Sequence, residues 1–278
     1  MFTLNCKGKI ISLETPVVMG IINATPDSFY EGHLAETEEE MISRARKMIF
    51  DGAAILDIGG QSSKPGSLRI GADEETGRVV PVIELLKKHF PETVISVDTY
   101  HSRVAIAAVE AGAGMINDIS AGDMDTGMIA TVASLGVPYV CMHMKGTPET
   151  MQQNPEYEDV VKEVIDFFIQ KIDTCTKAGI NDLIIDPGFG FGKSITHNFM
   201  LLKELGAFSI LGKPVLAGLS RKSTIYKTLG VTAKEALNGT TVLNTLALQQ
   251  GAAILRVHDV KEAMEAITLM NAYKKAAP

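Results

Sequence analysis

The chain has 278 residues, 46% of them hydrophobic, and a formal net charge of −7. That length fits one α/β barrel of about 250 residues, and the acidic balance excludes a general basic surface for nucleic acid. No apolar run reaches the roughly 18 residues of a membrane span, and residues 1–7 lack the charged flank and apolar core of a signal peptide. Three cysteines, Cys6, Cys141 and Cys175, show no Cys-x-x-Cys spacing. They point to a reduced, cytoplasmic protein without a disulfide frame or zinc site.

In chain order, residues 2–13 are expected to form a small hairpin plugging the bottom of a barrel. Eight short apolar runs follow, and each ends in a polar residue. Val17-Val18-Met19-Gly20-Ile21-Ile22 ends at Asn23, Ile55-Leu56 at Asp57, and Val94-Ile95-Ser96-Val97 at Asp98. Met115-Ile116 precedes Asn117-Asp118, Tyr139-Val140-Cys141-Met142 precedes His143, and Leu183-Ile184-Ile185 precedes Asp186. Val215-Leu216-Ala217-Gly218-Leu219 runs into Ser220-Arg221-Lys222, and Ile254-Leu255-Arg256-Val257 into His258-Asp259. Between them, residues 36–51, 73–90, 101–111, 125–135, 157–178, 195–211, 233–250 and 260–275 have helical periodicity. Several stop at a glycine, as in Ala111-Gly112 and Ala178-Gly179, where the left-handed conformation costs little.

Eight β-then-α units predict a single-domain (β/α)8 TIM barrel over residues 1–278. An open doubly wound sheet shows the same alternation, but it concentrates function at a switch point rather than on every strand. Polar residues at all eight strand ends favour the barrel and place the active site on that face.

Asp186-Pro187-Gly188-Phe189-Gly190-Phe191-Gly192-Lys193-Ser194 looks at first like a phosphate loop. A Walker loop needs four residues between its glycine and Gly-Lys-Ser, and here Gly188 and Gly192 are separated by three. The Rossmann spacing fails as well. What remains is a carboxylate followed by a loop that allows close backbone approach; the bland reading is a glycine-rich turn capped by Asp186. After the last two strands, Arg221, Lys222, Arg256 and His258 would concentrate cationic donors where such barrels bind phosphate. The bland reading there is pairing of the arginines with carboxylates.

Asp98, Asn117 and Asp186 end three different strands. They suit acid–base chemistry, metal binding or recognition of a hydrogen-bonding heterocycle; a metal cage would want further oxygen ligands. Residues 23–32 and 59–67 form long loops rich in Gly, Pro and Ser, of the kind that act as lids when functional. His143 has no metal spacing, and no nucleophile motif is present. Asp57 and His143 are expected to order the loops beside them.

Taken together, several motifs resemble the dihydropteroate synthase family across essentially the whole chain. They are Met19-Gly20-Ile21-Ile22-Asn23-Ala24-Thr25-Pro26-Asp27-Ser28-Phe29, Ser96-Val97-Asp98-Thr99, Ile116-Asn117-Asp118, Met142-His143-Met144-Lys145-Gly146-Thr147-Pro148, the loop from Asp186 to Lys193, Ser220-Arg221-Lys222, and Arg256-Val257-His258-Asp259. The resemblance implies condensation of 6-hydroxymethyl-7,8-dihydropterin diphosphate with p-aminobenzoate, assisted by Mg2+, in a homodimer. It implies that Asp98, Asn117, Asp186 and Lys222 hold the pterin. Asn23, Arg256 and His258 would hold the diphosphate, with Asn23 near Mg2+. Ser63, Pro65, Phe191, Lys222 and Ser223 would frame the aminobenzoate. Lys222, Asp98 and Arg256 are the expected catalytic residues.

The chain departs from the family at Ser62-Ser63-Lys64-Pro65-Gly66, where the family has Ser-Thr-Arg-Pro-Gly. A methyl group and a planar guanidinium fork are lost, which bears on aminobenzoate affinity and on the response to sulfonamide-type analogues. The rival expectations are a pterin-binding barrel for methyl transfer from methyltetrahydrofolate, a Schiff-base lyase using Lys222, and a non-catalytic pterin-binding paralogue.

Overall fold

The structure, a computed structural model, describes residues 2–24, 37–61, 69–147, 151 and 155–276. It is a TIM barrel. Strands β1 (Thr3–Cys6) and β2 (Lys9–Ser12) form an antiparallel hairpin. The barrel strands are β3 (Val17–Asn23), β4 (Ala53–Gly59), β5 (Val94–Asp98), β6 (Met115–Asp118), β7 (Tyr139–Met142), β8 (Leu183–Asp186), β9 (Leu216–Ala217) and β10 (Ile254–Val257). Seven parallel ladders join them in the order β8-β7-β6-β5-β4-β3-β10-β9, and a parallel bridge between Ile185 and Val215 closes the ring.

Helices α1 (Glu38–Phe50), α2 (Ala72–His89), α3 (Ser102–Glu110), α4 (Met128–Leu135), α5 (Val160–Ala178), α6 (Ile195–Lys203), α7 (Ser223–Leu229), α8 (Leu237–Gln249) and α9 (Val260–Lys275) surround the strands. Their starts are set locally. Thr37 and Glu40 form a reciprocal capping box on α1, and the Asp159 carboxylate accepts from Val161 N and Lys162 N on α5. Gly112 and Gly179 follow their helices at φ 117° and 94°, as their positions in sequence predict.

The strand-end residues owe their placement to the two-residue period of a strand. One parity faces outward: Val18, Leu56, Ile95, Ile116, Tyr139, Leu183, Ala217 and Leu255 join the core beneath the helices. The other parity faces the lumen. Met19, Ile55, Val94, Met115, Val140, Ile184, Leu216 and Ile254 form one buried layer, closed from below by Leu4, Cys6 and Leu13 of the hairpin segment. The expected plug is therefore present. Two residues further along, the same parity delivers Asp57, Asn117, Asp186, Gly218 and Arg256. Apolar layer and polar layer are consecutive storeys of one barrel.

Two segments differ from the expected helices. Residues 195–211 split into α6 and a 3-10 turn at Leu205–Leu211, and 233–250 begin with a 3-10 turn at Ala233–Glu235 before α8. Strand β9 shortens to two residues, and α7, a short helix absent from the expected set, follows it. Gly218, directly after β9, occupies the position where the lumen opens.

Candidate active site

The polar layer centres on Arg256. Its Nε donates to Asp57 Oδ2 at 2.6 Å and one Nη donates to Asp98 Oδ2 at 2.6 Å. Asn117 Nδ2 donates to the same Asp57 oxygen at 3.0 Å. Asp57 is 0% exposed. It is a member of the site rather than the loop-ordering residue expected from its sequence position. Burial opposes the charge on Arg256, but Asp57 and Asp98 outweigh it and raise its pKa further above the ordinary value. Asp98 is pushed the other way: burial raises its carboxyl well above the usual range, and Arg256 only partly offsets that.

Asp186 lies across the lumen, 4% exposed. Its Oδ1 accepts from Gly188 N at 2.7 Å, so the turn-capping role is real. A Cβ on Gly218 would stand 3.8 Å from Asp186 Oδ2 and 3.6 Å from Lys222 Nζ. The absence of a side chain at Gly218 thus leaves room where a carboxylate and an ammonium face the same point. Burial raises Asp186, with Lys222 and the Gly188 N–H opposing. Lys222 is lowered to about 8, first by burial and then by Arg256, while Asp186 and Asp98 resist. Its ammonium lies 4.7 Å from the centre of the Phe191 ring and donates to Phe189 O. Ser223 follows directly as the first residue of α7.

The glycine-rich loop is a packing device. Gly188, Gly190 and Gly192 all have positive φ. A Cβ on Gly188 would come within 1.9 Å of His143 O, and one on Gly192 within 2.2 Å of Lys145 O. Only glycine lets the loop after β8 approach the loop after β7 so closely. Lys193 holds the two together: its buried Nζ donates to His143 Nδ1 at 2.9 Å and to Gly188 O and Phe191 O at 3.0 Å. His143 accordingly orders these loops, and burial followed by Lys193 lowers its pKa to about 2.

At the mouth, His258 Nδ1 shares a 3.0 Å hydrogen bond with Ser220 Oγ. Asn23 is exposed at the end of β3. Arg221 turns away from this group. Its Nε and Nη2 form a fork onto the Asp259 carboxylate at 2.8 and 2.7 Å, and Nη1 donates to Ala233 O and Lys234 O. The bland reading of that arginine is the correct one. Tyr100, Ile119, Met142, Met151 and Phe191 form a separate apolar cluster. Ser63 and Pro65, expected at the aminobenzoate, lie outside the described residues, as does most of both long loops. The sequence reading missed Asp57 as a site residue, although its parity with Ile55 carries that signal.

Residues 19–258 match the family described as pterin binding enzyme. The dihydropteroate synthase of Escherichia coli (strain K12) is 43% identical over 97% of this chain and 95% of its own length. The chain belongs to the dihydropteroate synthase family. The family likeness extends to three dimensions. A Yersinia pestis dihydropteroate synthase with a sulfonamide drug complex superposes with a TM-score of 0.93 at 40% identity, covering 99% of this chain and 100% of that one. A Xanthomonas albilineans dihydropteroate synthase in complex with 7,8-dihydropteroate gives 0.89 at 42% identity, covering 99% and 100%.

Proposed function

We propose that the polar storey of this barrel grips a dihydropterin by its hydrogen-bonding edge and releases diphosphate at the mouth. Membership of the dihydropteroate synthase family over the full length assigns the overall reaction: the chain is a transferase that makes 7,8-dihydropteroate. The p-aminobenzoate nitrogen forms a bond to the pterin methylene carbon, the carbon–oxygen bond to diphosphate breaks, and the amine loses a proton.

The observation that carries the reading is the charge balance of the lumen. Asp57, Asp98 and Asp186 converge there with two cations, Arg256 and Lys222. Asp186 accepts the adjacent N–H donors of the 2-amino-4-oxo edge. Asn117 keeps its carbonyl oxygen and a second N–H for the remaining edge, and Asp98 lies beside it. The buried carboxylates favour positive charge on the ring as diphosphate departs, so the expected path is dissociative. His258, Asn23 and the outer side of Arg256 are proposed to meet the leaving anion. Phe191, Lys222, Ser223, Ser63 and Pro65 are proposed to frame the aminobenzoate.

Mg2+ is proposed as the accompanying ion. Among the described residues no three His, Cys, Asp or Glu gather as a metal site. The proposed arrangement is an ion held by diphosphate and water, with the Asn23 amide oxygen as a protein contact. It would neutralise charge on the leaving group. Asn23 holds that oxygen at the end of a strand.

A homodimer is supported by the outer face of α6, α7 and α8, where Phe199, Met200, Leu229, Val242 and Leu246 are exposed. No helix among the described residues is long and apolar enough to cross a membrane; a cytoplasmic location is proposed. Formation of one diphosphate per 7,8-dihydropteroate by the purified protein tests the central reading.

A further inference from the structure

Outside the lumen, a buried carboxyl packs against the residues that follow β4 and β5. Glu75, on the first turn of α2, is 1% exposed. Its Oε2 accepts from Thr99 Oγ1 at 3.0 Å, and Thr99 Oγ1 in turn accepts from His101 N at 3.1 Å. Thr99 follows Asp98, and its own N–H donates to Asn117 O at 2.9 Å. On its other side Glu75 packs under Gly60: a Cβ there would stand 2.9 Å from Glu75 Cγ and 3.3 Å from Glu75 O. One turn along α2, Arg78 Nη1 donates to Gly60 O at 2.9 Å. Gln61 Oε1, the next link, accepts from Ile70 N at 3.0 Å and from the Tyr100 hydroxyl at 3.1 Å. Residues 62–68 follow Gln61 directly, and they include Ser63 and Pro65.

We propose that Glu75 is a positioning residue: bonded to Thr99 and packed under Gly60, its side chain fixes Gly60 and Gln61 just beyond β4, directly before the residues proposed to meet the aminobenzoate. This rests on the reading that Ser63 and Pro65 meet the aminobenzoate. Asp98 does not depend on Glu75 for its place, because the β5 ladder and Arg256 hold it. Gly60 and Gln61 lie beyond the end of β4 and depend on side chains from α2 and from the loop after β5. Losing the Glu75 contact therefore falls on the aminobenzoate side.

The neutral form follows from the surroundings. The charged groups facing Glu75 are the Asp98 carboxylate from β5 and Arg78 from its own helix, and Arg78 is already engaged by Gly60 O and Glu74. Burial, with a smaller contribution from Asp98, raises its pKa to about 8. The folded protein keeps that proton where the unfolded chain has released it, so this residue costs stability as pH climbs from the ordinary carboxyl range toward 8.

The test is steady-state kinetics on Glu75→Gln and Glu75→Ala, with each substrate varied in turn, beside equilibrium binding of a pterin. Glu75→Gln, isosteric and uncharged, should stay within about twofold of wild type in every constant, and its Tm should fall less than that of wild type between pH 5 and 9. Glu75→Ala should raise KM for p-aminobenzoate by about tenfold or more and leave pterin affinity within about twofold. A Gln variant as impaired as Ala overturns the proposal, as does equal loss for both substrates. Ser63→Ala is measured in parallel. If it raises KM for p-aminobenzoate and Glu75→Ala does not, the positioning role fails; if only Glu75→Ala does so, the aminobenzoate assignment of Ser63 fails and the role of Glu75 stands.

Discussion

Arg256 and Asp57 meet at 2.6 Å across β3, which lies between their strands. Because Asp57 is fully buried and also accepts from Asn117, this pair fixes the angle at which the guanidinium faces Asp98. Asp57→Asn should leave Arg256 Nε opposite an amide and take a charge from the pair. Breaking a buried pair typically costs about 3 kcal/mol or more, so a loss of that order in urea-measured stability is expected, together with weaker pterin binding. Unchanged stability and pterin affinity would show that Arg256 orients without Asp57.

Asp186 is the residue on which pterin recognition turns. Asp186→Asn puts an N–H donor where two acceptors are required. The expected loss is about 3 kcal/mol, or roughly 100-fold in pterin affinity by titration. Affinity within a few-fold of wild type would remove Asp186 from the pterin edge.

His143 makes folding sensitive to acid. Its pKa falls from the ordinary 6.5 to about 2 in the folded protein, chiefly through burial. The unfolded chain gains the proton below about 6.5 and the folded protein does not. The stabilising contribution is present above 6.5 and is lost as pH falls toward 2, by up to about 1.4 kcal/mol per pH unit. His143→Asn keeps an acceptor for Lys193 without the titration, so its stability should fall less between pH 6.5 and 4. Parallel acid profiles of the two proteins would show that His143 is not the source.

Lys222 separates the transferase from the Schiff-base alternative. With its pKa near 8, it carries its charge at pH 7 and loses it above 8, so kcat/KM for the pterin substrate should decline on the alkaline side. Borohydride added during turnover should leave Lys222 unmodified in the mass spectrum. A reduced substrate adduct on that lysine would favour the lyase chemistry.

Much of this was legible in the chain. Apolar runs tipped with Asp98, Asn117, Asp186 and His258 mark a barrel face because strand parity is a local property. The pairing of Asp57 with Arg256 was not legible, since the two are 199 residues apart and meet only when β10 closes against β3. Arg221 misled for a related reason. It is adjacent to Lys222, but its left-handed backbone, φ 54°, turns it onto Asp259 and away from the mouth. Lys193 resembled a phosphate lysine in sequence and is caged by carbonyl oxygens, because glycines at 188 and 192 bring two backbones together around it.

The most direct measurement is product formation by the purified protein with 6-hydroxymethyl-7,8-dihydropterin diphosphate, p-aminobenzoate and Mg2+. The account predicts 7,8-dihydropteroate and diphosphate in equal amounts over many turnovers, with no 7,8-dihydropteroate when either organic substrate is omitted. Absence of 7,8-dihydropteroate from folded protein supplied with all three would contradict it.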